Sequence, residues 1–124
     1  MYQQNVNPNK VLIWEHQRTN LGLEKIAKDG RLGNLAPAPV FELPRRYKHL
    51  GDYVLLDGHN RREAARRNNV DLPVIVVESA AGDFRHVEQY ADPFFYEQDE
   101  GDFQEMVDDT VDNALKYFLD SLAA

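Results

Sequence analysis

Apolar residues in this chain fall in short runs separated by polar, turn-forming stretches. The runs over Lys10 to Trp14, Pro39 to Leu43, Tyr53 to Leu56 and Pro73 to Glu78 are short and rich in β-branched and aromatic residues, which predicts four strands. The prolines at 37 and 39 favour an edge or the first residue of the second strand. Between the strands the period changes. Leu21, Ile26 and Ala27 give an apolar face to a helix that starts after the N-cap Asn20 and runs to Asp29, with Gly30 as its stop. Ala64 and Ala65 form a small apolar stripe on a second helix that ends near Asn69. Further on, Phe103, Met106, Val107, Val111, Ala114, Leu115, Phe118, Leu119 and Leu122 share one helical face, with Glu105, Asp108, Asp109 and Asp112 on the other. Met1 to Pro8 reads as a frayed polar end, Leu32 to Pro37 as a loop, and Pro44 to Asp52 as a basic loop carrying Arg45, Arg46, Lys48 and His49. Strands alternating with helices at this spacing give an α/β (α+β) layer arrangement: a small mixed sheet with flanking helices and a C-terminal amphipathic helix. No internal repeat or low-complexity tract is visible.

The 124 residues amount to a single domain, large enough to bury about two-thirds of the surface its unfolded chain exposes without a metal or disulfide staple. The chain has no cysteine, which fits a reducing compartment. The first residues lack the charged and apolar blocks of a secretory signal, and no apolar run approaches about 18 residues. The expectation is a cytoplasmic protein with no membrane segment. The formal net charge of −7 hides an asymmetry, since residues 1–87 carry 13 Lys+Arg against 10 Asp+Glu and residues 88–124 carry one lysine against 11 acids. DNA phosphates would repel so acidic a domain, and no basic stripe with interleaved aromatics is present, so direct DNA binding is the weaker reading.

The stretch Asp57-Gly58-His59-Asn60-Arg61-Arg62-Glu63-Ala64-Ala65 joins the third predicted strand to the second helix. Gly58 allows a sharp turn, after which the first backbone N–H groups of the helix form an anion site. Arg61 and Arg62 in that first turn have the wrong sign for the helix dipole, at a cost of roughly 0.3–1 kcal/mol. A bound phosphate would satisfy amides and guanidinium together. Arg61, three and four residues before Ala64 and Ala65, should lean toward the sheet. Arg62 and Arg66 should share a more exposed face, and Glu63 with Arg67 should form a surface i,i+4 pair. His59 either donates to phosphate or caps the turn. Asp57 either holds a substrate amine or a magnesium ion, or accepts backbone N–H bonds where the helix begins. Glu15 is a candidate general base, though an exposed acid with no role is the commoner state. The four histidines show no metal-ligand spacing, so no resident metal site is expected.

Val54 to Val77 resembles the core of the ParB/sulfiredoxin superfamily, whose domains carry a Gly-x-x-Arg loop between a strand and a helix. Leu23 to Gly30 resembles the early helix of that family and Pro37 to Leu43 its next strand. The likeness therefore spans a core of about residues 10–79, followed by an acidic C-terminal extension over 88–124. Sulfiredoxins have a cysteine where His59 stands, which excludes their chemistry. ParB partition proteins read Gly-Glu-Arg-Arg against Gly58-His59-Asn60-Arg61, and the missing glutamate argues against cytidine-triphosphate hydrolysis. The loop is most similar to the Asp-Gly-His-His-Arg of the free-serine kinases, matched at Asp57, Gly58, His59 and Arg61 but not at Asn60. Glu15-His16 resembles the acidic and histidine pair of those kinases.

The resemblance implies a nucleotide-phosphate-binding domain in which Gly58, His59, Asn60, Arg61 and Arg62 receive ATP or ADP, with CTP as a further candidate, together with Mg2+. It also implies phosphoryl transfer to a small hydroxyl substrate, with Glu15, Asp57 and His59 as the catalytic set. The serine kinases are considerably longer chains, which leaves enzyme status open. The alternative is a non-catalytic module that senses nucleotide or recruits a protein partner through its acidic C-terminal helix. Residues 103–122 either pack on their own domain or serve a protein partner or self-association.

Overall fold

The computed structural model describes residues 2–14, 20–43, 45–77 and 100–123, with side chains of the last helix described over 108–121. Five strands form one mixed sheet in the order β1-β5-β3-β4-β2: β1 (Tyr2–Val6), β2 (Val11–Leu12), β3 (Ala38–Glu42), β4 (Tyr53–Leu55) and β5 (Leu72–Val76). Three helices flank it, α1 (Leu21–Lys28), α2 (His59–Arg67) and α3 (Glu100–Ala123), giving the α/β architecture that the apolar pattern implies. Among the described residues no helix is long and apolar enough to cross a membrane.

Local chemistry sets the helix ends. Asn20 caps α1, its side chain accepting from the Leu23 N–H at 3.0 Å, and the chain leaves through Gly30 at φ 72°. The apolar face of α1 is carried by the buried Ala27 with Leu23 and Ile26 half-buried. Leu21, expected on that face, is 78% exposed, because it sits in the first turn beyond the reach of the sheet.

The frayed polar end expected over Met1 to Pro8 is a strand instead: β1 pairs antiparallel with β5 from Tyr2↔Val76 to Val6↔Leu72. Four of its five side chains are exposed and polar or aromatic, so no apolar alternation marks it; backbone pairing alone makes it a strand. Of the two positions expected for Pro39, an edge or a strand entry, it takes the second, as the second residue of the central strand β3. Its carbonyl accepts from the Leu56 N–H at 2.9 Å, so its missing donor faces the end of β4, where the ladder stops and costs least.

Each face of the sheet has its own core. On one, Val6, Val11, Ala38, Val40, Leu55, Leu72, Val74 and Val76 pack under Ala27 of α1 and Ala64 and Ala65 of α2. On the other, Leu12, Phe41, Leu43, Val54, Leu56 and Val77 pack under Val111 and Ala114 of α3, with Leu115 and Phe118 alongside. Positions 111, 114, 115 and 118 keep the helical spacing of a buried stripe. Leu119, expected on it, is 63% exposed. The side chains of Phe103, Met106, Val107 and Leu122 and the stretch Tyr90 to Asp99 lie outside the described residues.

Val111 is buried in the core of the α3 face, so Val111→Asp should cost roughly 3–5 kcal/mol in urea unfolding, the usual penalty for an uncompensated buried charge. Leu119→Asp should stay within about 0.5 kcal/mol of wild type.

Candidate functional site

The turn between β4 and α2 is built by Gly58, held at φ 97° and ψ 29°, in the left-handed region. The Asp57 carboxylate accepts from the Gly58 N–H at 2.7 Å, and the Arg62 N–H donates to the Gly58 carbonyl at 2.9 Å, closing the first helical turn. A Cβ on residue 58 would stand 2.9 Å from Arg61 Nη2 and 3.1 Å from both Arg61 Nε and Ala38 Cβ. Glycine is therefore needed for its backbone angles and also because the Arg61 guanidinium lies against the bare Cα.

Arg61 leans inward as its spacing from Ala64 and Ala65 implies, and its Nη1 donates to the Ala36 carbonyl in the loop before β3. Burial pushes the guanidinium pKa down and the nearby Asp57 carboxylate pushes it back up; it remains a cation, with five N–H donors to distribute. Leu23 of α1 closes the opposite wall. Asp57, Gly58, His59, Asn60, Arg61 and Leu23 line an open cleft of about 260 Å³, slightly below the ~300–1,000 Å³ usual for a complete small-molecule site. It has room for a phosphate group and leaves the remainder of a nucleotide outside.

His59 is 5% exposed. Its Nε2 accepts a long contact from the Trp14 backbone N–H, at 3.4 Å, and the two rings meet edge to face at 4.7 Å and 89°. The Trp14 indole in turn donates to the Leu55 carbonyl at 2.6 Å, tying the end of β2 to β4 just before the turn. Burial, helped by the positive charge of Arg62, lowers the His59 pKa to about 4, so at neutral pH the imidazole is uncharged, with its proton assigned to Nδ1 by the contact at Nε2.

The remaining arginines require a correction. Arg62 does not share an exposed face with Arg66: its side chain is 13% exposed, its Nε donates to the Pro8 carbonyl at 3.0 Å, and burial pushes its pKa down. Glu63 and Arg67 do pair, at 2.8 Å, but Glu63 is buried. Its carboxylate also takes a two-pronged contact from Arg66 at 2.6 and 3.1 Å. Hydrogen bonding from Arg66 and then Arg67, working against burial, lowers the Glu63 pKa to about 2. Arg67 reaches on to Glu24 of α1 at 3.1 Å. All four arginines thus have protein partners, and of the four Arg61 is the one that also lines the cleft beside Asp57.

Glu15 and His16 lie outside the described residues. Among the described residues no group of three or more His, Asp or Glu side chains converges as a metal site; Asp57 is the carboxylate of the cleft. A wider groove of about 550 Å³ runs between α1 and α2 beside Glu24, Lys25, Lys28, Asp29, Arg67 and Asn68, but Glu24 and Arg67 already satisfy one another there. Reading the loop alone misses Trp14, Leu23 and Ala36. Trp14, the one tryptophan of the chain, stands beside Glu15 and could have drawn attention; the Ala36 carbonyl has no side-chain signature.

No protein-family model matches the chain, and no curated protein matches it. Among solved structures it is similar to the C-terminally truncated chromosome-partitioning protein ParB from Caulobacter crescentus, complexed with CTP-gamma-S. The TM-score is 0.45 and the identity 18%, over 74% of this chain and 56% of that one. This chain therefore spans little more than half of that ParB, and at this distance the functions of the two are separate questions.

The folded-state pKa of His59, about 4, lies below the ordinary histidine value of 6.5, so the unfolded chain takes up the proton first. Stability should fall as pH drops from about 6.5 to about 4 and then level off in this component, by on the order of 3 kcal/mol. Glu63, lowered from 4.5 to about 2, adds a loss between those two values. Urea titrations across this range should show His59→Gln, which keeps an acceptor near Nε2, without the upper component and with the lower one intact.

Proposed function

We propose that the Asp57–Arg61 turn receives the phosphate end of a nucleotide. One observation carries this reading: the Arg61 guanidinium is laid over a left-handed glycine at the first turn of α2. The first-turn amides and a cation thereby border one phosphate-sized cleft. The resemblance of Asp57, Gly58, His59 and Arg61 to the loop of the free-serine kinases supports the same reading.

The charges set the terms of binding. An incoming phosphate meets one guanidinium and one carboxylate, because His59 is neutral at pH 7. Asp57 therefore opposes the anion unless a cation joins them. Magnesium is commonly held by one carboxylate together with substrate phosphates, and Asp57 fits that part; when bound, Mg2+ would spread the phosphate charge. Asn60 is exposed at the rim and Arg62 turns away to Pro8, so Arg61 and Asn60 are the side chains offered to the ligand. His59, largely buried in the wall of the cleft, holds Trp14.

Binding should be read by calorimetry and thermal shift with ATP, ADP, CTP and GTP plus magnesium, where a ligand at 100 times its dissociation constant should stabilise the chain by about 2.7 kcal/mol. Arg61→Ala should weaken the preferred nucleotide by roughly 1.5–3 kcal/mol, the worth of a charged hydrogen bond. Arg66→Ala should leave affinity unchanged while lowering stability, because it uncovers Glu63. Equal losses of affinity in both variants would leave only diffuse electrostatics.

Phosphoryl transfer to a small hydroxyl is the chemical extension of this reading, with Glu15 removing the acceptor proton. Incubation with ATP or ADP, magnesium and free serine should then give phosphoserine. Glu15→Gln should abolish turnover and keep nucleotide affinity within about threefold, since a general base acts on rate. Nucleotide binding without turnover favours the sensing module instead, with the exposed Asp109 and Asp112 of α3 facing a partner.

A further inference from the structure

Among the described residues the sheet ends at β1, and the hydrogen-bonding direction of that strand follows from its neighbours. The Val77 N–H donates to the Val40 carbonyl at 2.8 Å, so the backbone groups of Val77 face β3, and by alternation those of Ile75 and Pro73 do too. Those of Val76, Val74 and Leu72 then face β1, where they stand opposite Tyr2, Gln4 and Val6. The N–H and C=O groups of Gln3 and Asn5 are accordingly turned away from the sheet. Residues 2–5 are exposed, and the strand Tyr-Gln-Gln-Asn-Val holds no charge and no proline, the usual devices that keep an edge from pairing.

We propose that β1 pairs antiparallel with β1 of a second copy of this chain across a twofold axis at Gln4. The outward groups are symmetric about that residue. In this register Gln3 stands opposite Asn5 of the other copy and exchanges two hydrogen bonds with it; the symmetry-related pair adds two more. Gln4 meets its own counterpart in the non-hydrogen-bonded position, and Tyr2 lies across from Val6, an aromatic–β-branched pair of the kind that stabilises sheets. No like charges are brought together within the strands. The same surface patch serves both copies, so the contact closes at two. The two sheets would join into one of ten strands. A five-residue edge buries little area, so the pairing belongs to the weak, transient class, and the net charge of −7 on each copy makes it stronger at higher salt.

Sedimentation equilibrium from about 10 μM to about 1 mM covers the range suited to so small a contact. The wild-type mass should rise with concentration from 14.3 kDa toward twice that value, and amide exchange at Gln3 and Asn5 should slow in step. Gln4→Lys and Gln4→Glu each place like charges opposite one another and should stay monomeric, while their equimolar mixture should recover the doubled mass. Gln3→Pro removes only an outward donor, so it should keep its circular dichroism and lose association. A doubled mass in both single charge variants would overturn the proposal by placing the contact elsewhere. A wild-type chain that stays monomeric throughout, with fast exchange at Gln3 and Asn5, would also overturn it and leave the edge to an extended segment of another protein.

Discussion

The close approach of α2 to the central strand is the constraint on which the rest of this molecule rests. It is made by small residues: Gly58 at the turn, Ala38 beneath it, and Ala64 and Ala65 along the buried side of the helix. A Cβ at residue 58 would displace the Arg61 guanidinium and press tightly against Ala38. Because the turn sits so low on the sheet, Arg61 reaches the Ala36 carbonyl and Trp14 comes within reach of His59. Interiors pack densely enough that such an approach cannot be loosened locally without moving its neighbours. The cleft is thus a by-product of packing that the fold already needs, and any ligand there inherits a wall whose position is set.

Charge on α2 divides between structure and site. Glu63 is held ionised in the core margin by Arg66 and Arg67, and Arg67 carries the link to Glu24 of α1. Breaking up such a network leaves a buried carboxylate without its partners, which costs far more than the loss of a surface pair. Arg62 is spent on the Pro8 carbonyl and lowers the basicity of His59. Arg61 is anchored to the Ala36 carbonyl through Nη1 and still lines the cleft, balanced by Asp57. The local balance near the turn is therefore close to neutral despite four arginines in seven residues, and selectivity would come from the placement of donors more than from net positive charge.

The two faces of the sheet are closed in different ways. α1 and α2 close one with alanines and short side chains, whereas α3 closes the other with Val111, Ala114, Leu115 and Phe118 against larger residues such as Phe41 and Leu56. Asp108, Asp109 and Asp112 of α3 are exposed, off its buried stripe.

Local features were legible in the sequence because their causes are local. Strands β2 to β5, the Asn20 cap, the stop at Gly30, the left-handed turn at Gly58 and the inward lean of Arg61 each follow from residues within a few positions of one another. The 111–114–115–118 stripe follows from helical periodicity in the same way. Features decided by partners far along the chain were not legible. β1 is a strand only because β5, some 70 residues away, offers it a ladder. Pro39 is tolerated in the central strand only because β4 ends beside it. The environments of His59 and Arg62 depend on Trp14 and Pro8, 45 and 54 residues away. Propensity, period and capping act over one or two turns of chain, so the sequence alone determined which segments are strands, helices and turns and which arginine faces inward. Burial, desolvation and carbonyl acceptors are supplied by whatever the fold brings alongside, so only the tertiary structure decided which of the loop's charged groups are committed to the protein and which face the cleft.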